Sequence, residues 1–291
     1  MSLIGTMGSG VSALRTFMKG LEVIGNNIAN VNTTSYKASQ AKYTDSFSNI
    51  LQRSAPSSAT ASNTPSAGIG TGVKLSGVAT NFSQGSLAST GRETDLGISG
   101  NGFFHVKNIV DGMEYATRAG DFRWDDQGFL VNPAGLRVQG AGGTGLTTVG
   151  DVQLGTAPTG TQRQSVTIDR AGNVVEFYSD GTSATTNRLL LQQFNDPSAL
   201  VNEGGNLYSS LLAAGPVGSA AGTADLDATG TNDPGTNGLG NIQSGTLELS
   251  NVDLTDQFSN LITTQRSFQA GSRLVTVSDT VLEDIVNLKS R

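Results

Sequence analysis

Apolar side chains recur at steps of three and four at both ends of the chain, and between the ends the period drops to two. Ile4, Met7, Val11, Leu14, Met18 and Leu21 make one such series, and Ile28 continues it past Gly25. This spacing lines the residues along one side of a helix as a heptad seam. Phe17, Ile24 and Val31 widen that stripe. At the other end Leu247, Leu254, Leu261, Phe268, Val275 and Leu282 stand seven residues apart, with Phe258, Ile262, Ile285 and Val286 beside them. Residues 244–291 are therefore predicted to be a long amphipathic helix, and residues 1–35 a second one. Ser250, Asn251 and Asp253 mark the start of the C-terminal helix, and Asp256 lies in its first turn, where a carboxylate suits the helix dipole. Lys289 and Arg291 sit at the opposite end with the complementary sign.

Each helix would run about 35–45 Å at 1.5 Å per residue, and a stripe of that length needs a partner. The two helices are expected to pack on each other. An intramolecular hairpin satisfies only one stripe. Gln265, Ser272 and Asp279 fill the companion heptad column of the C-terminal helix, and the surplus apolar faces imply contacts between subunits.

The middle of the chain reads differently. Short alternating runs at 72–79, 96–98, 103–106, 129–131, 165–168, 174–177 and 189–193 are separated by Asn101-Gly102, Asp111-Gly112, Gln127-Gly128, Gly172-Asn173 and Asp180-Gly181. That pattern indicates antiparallel strands and at least four hairpins. The fold class is α+β, with terminal helices packed together and a β-rich centre over residues 71–243. Arg53 to Gly70 and Ala213 to Gly240 are poor in large apolar groups and read as linkers or arms, the first within an extended segment 36–70.

Composition narrows the chemistry. Among 291 residues there are 38 glycines, no cysteine and one histidine, His105. Disulfides, thiolate nucleophiles and cysteine-based zinc sites are excluded, and a triad or imidazole-ligated metal would have to rest on a single ring. The net charge of -6 offers no field for phosphate backbones, so nucleic acid is not an expected partner. No apolar run is long enough to span a bilayer, and the N-terminus lacks the pattern of a cleaved export signal.

The remaining motifs are weak. Gly140, Gly142 and Gly145 fit a dinucleotide fingerprint, but the β-branched stretch from Leu146 to Leu154 is not the helix that a pyrophosphate needs. Asp225, Asp227 and Asp233 open like a calcium loop without the glutamate that should close it. Asp125 and Asp126 are adjacent on a hairpin and suit a turn better than a hydrolytic pair. His105 and Trp124 read as packed structural residues. No cofactor or metal is expected.

Asn26, Asn27 and Asn30 are different in kind. Three asparagines in a helical pattern are costly unless their amides bond to something, and amides held between helices would fix their register. Asn26-Asn27-Ile28-Ala29-Asn30 followed by Tyr36-Lys37 resembles the N-terminal signature of the flagellar axial family of rod and hook proteins. Leu247 to Asp253, Gln265 to Gln269 and Ser278-Asp279 resemble its C-terminal signature. Phe82 to Gly85, Thr90-Gly91, Asp95 to Ile98, Gly100 to Phe104, Thr117-Arg118 and Gly120 to Phe122 are similar to its first β-domain.

The resemblance implies a tubular homopolymer with the terminal helices as an inner coiled-coil layer. The implied subunit contacts on the N-terminal helix are Ile4, Met7, Val11, Leu14, Met18, Leu21, Asn26, Asn27, Ile28 and Asn30. On the C-terminal helix they are Leu254, Phe258, Leu261, Gln265, Phe268, Val275, Leu282 and Val286. The stretches from Val23 to Ile28 and from Val286 to Lys289 look more like a hook protein, whereas the 53–70 loop and the short chain look like a distal rod protein. The expectation is a hook subunit that transmits torque, with a distal rod subunit as the alternative. A β-domain enzyme or ligand-binding protein with a helical stalk is the remote one. Implied partners are further copies of the chain and the distal rod, hook cap and hook–filament junction proteins. The implied place is the extracellular flagellum, reached through the flagellar secretion apparatus without signal cleavage.

Overall fold

The terminal heptads form two helices, α1 (Leu3–Ala29) and α2 (Leu254–Lys289). The computed structural model describes residues 3–54, 56, 62–143, 145–218, 226–228 and 230–289. They divide into a helical unit (residues 1–30, 38–81 and 252–291) and a β-unit (31–37 and 82–251).

In the helical unit α1 and α2 run antiparallel. Asn27 meets Gln257, Gly20 faces Thr264, and Gly10 and Leu14 face Val275 and Gly271, so α1 steps up while α2 steps down in the same register. The inward face of α2 alternates an apolar row, Leu261, Phe268, Val275 and Leu282, with a row of Gln257, Thr264, Gly271 and Ser278. The companion row is thus one residue out of phase with the expected Gln265, Ser272 and Asp279, which are exposed. Mostly small side chains there let the helices approach closely at Gly10, while Gly20 makes room for the Tyr43 hydroxyl of the neighbouring strand. Asp253 caps α2, its Oδ1 accepting the N–H of Thr255 at 2.8 Å and of Asp256 at 3.4 Å. The helix therefore starts ten residues later than the 244–291 reading, and Leu247 leaves the heptad column for a strand. At the other helix end, Asn30 Nδ2 donates to Asn26 O at 2.9 Å, and α1 stops at Ala29 instead of running to 35.

The segment 36–70, read as an extended arm, contains three strands. β1 (Ser39–Asp45) pairs antiparallel with β4 (Val73–Thr80), and β2 (Ser48–Gln52) pairs with β3 (Ala67–Gly70) between them. Runs of four or five residues exposed on both faces carry no period-2 signal, so neither β2 nor β3 is visible as a strand in the pattern. The β1–β4 ladder lies against α1. Thr16 Oγ1 donates to Val73 O at 3.3 Å, and Phe17 meets Tyr43 edge-on with centroids 6.4 Å apart.

The β-unit is built on a thirteen-stranded antiparallel sheet system. β7 (Phe103–Lys107) is buried on both faces because each face meets its own core. Phe104 and Val106 join the main core with Phe122, Leu130, Val138, Leu189 and Leu191, while Phe103 joins a second core of Phe194, Tyr208 and Leu211. Four of the five expected turns do connect paired strands, including Asp111-Gly112 between β7 and β8 (Glu114–Thr117). Asn101-Gly102 does not, since Asn101 forms an isolated bridge to Leu239. The 213–240 stretch is also not a linker among its described residues. Ala214, Leu226, Ala228 and Leu239 are buried, and Asn232 Nδ2 donates to Leu191 O at 3.0 Å. Small residues and one asparagine hold this part of the core, so hydropathy undercounts it.

The two ends of the β-unit are sewn together. β5 (Leu87–Ser89) pairs with Thr246–Glu248, and β6 (Leu96–Ser99) pairs with Asn241–Ser244, so the strands that follow and precede the helical segments are neighbours.

Candidate assembly surfaces

Asn27 is the most constrained of the expected site residues. Its side chain is 1% exposed, donates through Nδ2 to Ser39 O at 2.7 Å and to Gln257 Oε1 at 3.1 Å, and accepts the Ser39 N–H at 2.9 Å. One amide thus acts as a strand partner for β1 and as the register pin of the helix pair, which accounts for asparagine at this point of a helix. Asn26 is exposed, and Asn30 closes the end of α1.

The apolar candidates fall into two groups. Met7, Val11, Leu14, Leu21 and Ile28 on α1, and Leu261, Phe268, Val275 and Leu282 on α2, are half-buried within the helical unit. Met18, Leu254 and Phe258 are exposed, as is Gln265. The side chains of Ile4 and Val286 lie outside the described residues. Sequence spacing did not separate a second exposed set, Leu274, Val277, Val281 and Ile285, from the seam. By the helical period Phe258 and Ile262 lie on one flank of the α1 contact and Leu274, Val277 and Val281 on the other, while Leu254 and Ile285 continue the two inward rows at their ends. An apolar cleft of about 520 Å³ also opens where small residues of α1, including Gly10 and Ala13, face Leu51, Ile69 and Leu274.

A buried ionic clasp holds the root of the β-unit. Lys37 Nζ lies 2.7 Å from Glu248 Oε1 and donates to Ser83 O at 2.8 Å, while Arg118 lies 3.4 Å from Glu248 Oε2 and donates to Gly100 O at 2.9 Å. Gly85 N–H completes the carboxylate shell at 2.8 Å. Ser35 donates its hydroxyl to Arg118 O and its N–H to Glu248 O, both at 2.8 Å. Burial pulls the Lys37 ammonium below its ordinary pKa, against the raising effect of Glu248. Beside the clasp, burial pushes the Tyr208 phenol up to about 12, with the charges of Tyr36 and Glu248 adding to the rise. These residues were not singled out as ionic partners from the sequence, where Lys37 and Glu248 stand 211 positions apart.

The motifs with enzymatic overtones have structural roles. Gly140 and Gly142 lie in a strand paired antiparallel with Thr148–Asp151, and that pairing leaves no helix for a phosphate. Asp125 Oδ1 accepts the N–H groups of Gln127 and Phe129 in a turn. Asp233 pairs with Arg188 at 3.0 Å and Asp227 accepts from Thr231, while Asp225 lies outside the described residues. His105 is buried with Nε2 3.6 Å from Glu114. Among the described residues no three His, Asp or Glu side chains converge as metal ligands, and no helix is long and apolar enough to cross a membrane.

Comparison with known proteins matches three stretches of the chain. Residues 7–37 match the description "Flagella basal body rod protein", residues 97–176 "Flagellar hook protein FlgE/F/G D1 domain", and residues 243–288 "Flagellar basal body rod FlgEFG protein C-terminal". The chain is 36% identical over 287 residues to the flagellar basal-body rod protein FlgG of Bacillus subtilis, covering 99% of this chain and 100% of that one. It is 32% identical over 283 residues to the protein of the same name from Agrobacterium fabrum, covering 96% of each. To the flagellar hook protein FlgE of Borreliella burgdorferi it is 26% identical over 440 aligned positions, covering 97% of this chain and 99% of that one. With the α-helical ends and the β-rich centre both matched, the chain belongs to the flagellar rod and hook family, non-enzymatic structural proteins of the bacterial flagellum.

Proposed function

We propose that this chain is a distal rod subunit, a building block of the rigid drive shaft of the flagellar basal body, and not the hook subunit that residues Val23 to Ile28 and Val286 to Lys289 suggested. The observation that carries this reading is the end-to-end match, at 36% identity, to a relative named as a basal-body rod protein. The hook-named relative matches at 26% and needs 440 aligned positions, so it contains long stretches that this chain lacks. The short opening and closing stretches that favoured the hook belong to the helices, which both branches of the family share.

In this reading the partners are further copies of the chain and the axial proteins above and below it. The half-buried seam holds α1 and α2 together as one element, and the two exposed apolar flanks of α2 supply contacts to neighbouring subunits. The residues expected as subunit contacts thus divide between the two tasks. Head-to-tail contacts that do not close a ring produce a filament. The test is electron microscopy of basal bodies from cells that lack the gene. Loss of the distal part of the rod together with the hook is the expected result, whereas a complete rod with no hook would return the chain to the hook branch.

A further inference from the structure

β7 and β8 form a ladder from Phe104↔Thr117 to Lys107↔Glu114, and the two ends of that ladder differ in an unusual way. Beyond Lys107 the loop presents Ile109, Val110 and Met113 to solvent, with Val110 89% exposed. The turn is well bonded. Asn108 N–H donates to Met113 O at 2.8 Å, Gly112 N–H donates to Asn108 O at 2.9 Å, and Val110 N–H donates to Asn108 Oδ1 at 2.9 Å. A closed turn therefore holds three large apolar side chains outward, at a position where turns ordinarily carry polar ones. Clustered exposed apolar groups of this kind mark contact sites.

At the opposite end of the ladder Phe82, Phe103, Phe194, Pro197 and Arg118 line a hollow of about 180 Å³. It is below the usual range for small-molecule sites, about 300–1,000 Å³, and of a size for one aliphatic side chain with its neighbour. Arg118 is the only charged residue of its lining, and its Nε has no acceptor among the described residues. The clasp behind it holds two cations, Lys37 and Arg118, against the single anion Glu248. The hollow therefore has positive character. The only charged residue of the 108–113 tip is Asp111. Tip and hollow match in size and are opposite in sign.

Four paired positions of strand, at about 3.3 Å each, separate them, so one copy does not fill its own hollow with its own tip. A knob at one end of an element and its hole at the other make a heterologous contact, which propagates as an open series of copies. We propose that the 108–113 tip of one copy seats in the Phe82–Phe103–Phe194 hollow of the next, with Val110 among the rings and the Asp111 carboxylate toward the Arg118 guanidinium. This contact joins β-units along the polymer, independently of the helices, and it rests on the rod reading above.

The chain has no cysteine, which makes the contact testable by cross-linking. Asn101 is exposed on the rim of the hollow, so V110C and N101C combined in one chain should give an oxidant-dependent ladder of multimers from isolated basal bodies. Neither single variant should do so, and adding D111R to the pair should abolish the ladder. A second readout places a benzophenone amino acid at position 110, with photo-adducts expected on peptides around residues 82–103 and 193–197 of another copy. Rods that form normally but give no ladder, or photo-adducts on other peptides or another protein, would overturn the contact and leave the rod reading standing. Basal bodies whose rods do not contain the chain would overturn both.

Discussion

Glu248 is the single anion of a buried cluster with two cations, so its three members are not equivalent. Removing it leaves Lys37 and Arg118 facing each other without a counter-charge, and breaking a buried ion pair in this way costs about 3–5 kcal/mol. Removing Lys37 leaves a neutral Arg118–Glu248 pair with most of its hydrogen bonds. Glu248→Gln is therefore expected to destabilise the β-unit by at least twice as much as Lys37→Met, measured by urea unfolding followed at Trp124, the sole tryptophan. Equal losses would mean that packing, not charge balance, holds the clasp. Tyr208 gives a pH test of the same place. Its folded pKa of about 12 lies above the ordinary value of 10, so the folded state keeps a proton that the unfolded chain gives up. That contribution is fully present below pH 10 and is lost as the pH rises from 10 to about 12, amounting to about 2–3 kcal/mol at the upper end. Tyr208→Phe should flatten the fall in stability across this window, and an unchanged slope in the variant would assign the fall to other groups.

Among the elements, α2 carries the sharpest contrast, between Phe268 in the seam and Phe258 on an exposed flank. Phe268→Asp places a charge against α1 at a cost of several kcal/mol and should reduce the helical circular dichroism of the monomer. Phe258→Asp should leave the monomer's helicity and protease resistance unchanged. Both should block assembly, and polymers from Phe258→Asp would remove that flank from the subunit contacts. This contrast was only half legible in the sequence. A heptad period identifies the helices and their apolar row, because Leu261, Phe268, Val275 and Leu282 repeat without a gap. It does not identify the partner row, because Thr264, Gly271 and Ser278 have little hydropathy and do not stand out from the adjacent column of Gln265, Ser272 and Asp279. The strands divide in the same way. Asp111-Gly112 and Asp180-Gly181 mark hairpins through turn chemistry, whereas 213–240 enters the core through small side chains and the Asn232 amide. The ionic clasp was hidden for another reason, since Arg118 and Glu248 are 130 positions apart and no local pattern joins them. The asparagines after Gly25 were the exception. Their cost inside a helix was readable, and for Asn27 the bonds that offset it are those to Ser39 and Gln257.

At the scale of the whole molecule, the 53–70 loop is the feature expected to separate stiffness from assembly. Arg53 to Gly70 was expected to be a linker or arm without strand period, but its last four residues form β3, and the pairing of β2 with β3 closes the loop at Gln52↔Ala67. Every residue of β2 and β3 is exposed, and Phe47, Ile50, Leu51 and Ile69 present apolar surface there. A two-stranded ribbon with open edges and uncovered apolar groups is stable only against a neighbour. In the proposed rod that neighbour would be another subunit, and a ribbon pinned between subunits would oppose the sliding that lets a tube bend. The cores of the β-unit and the Asn27–Gln257 pin between α1 and α2 are built from residues outside 53–66, so both should survive its loss. Replacing 53–66 by Asn-Gly, which turns two strands in two residues, keeps β2 and β3 in register and removes only the extension. The expected outcome is that polymers still form and bend more, read as a shorter persistence length in electron micrographs. Equal stiffness would show that the extension does not restrain the tube, and failure to assemble would show that it is a primary contact instead of a brace.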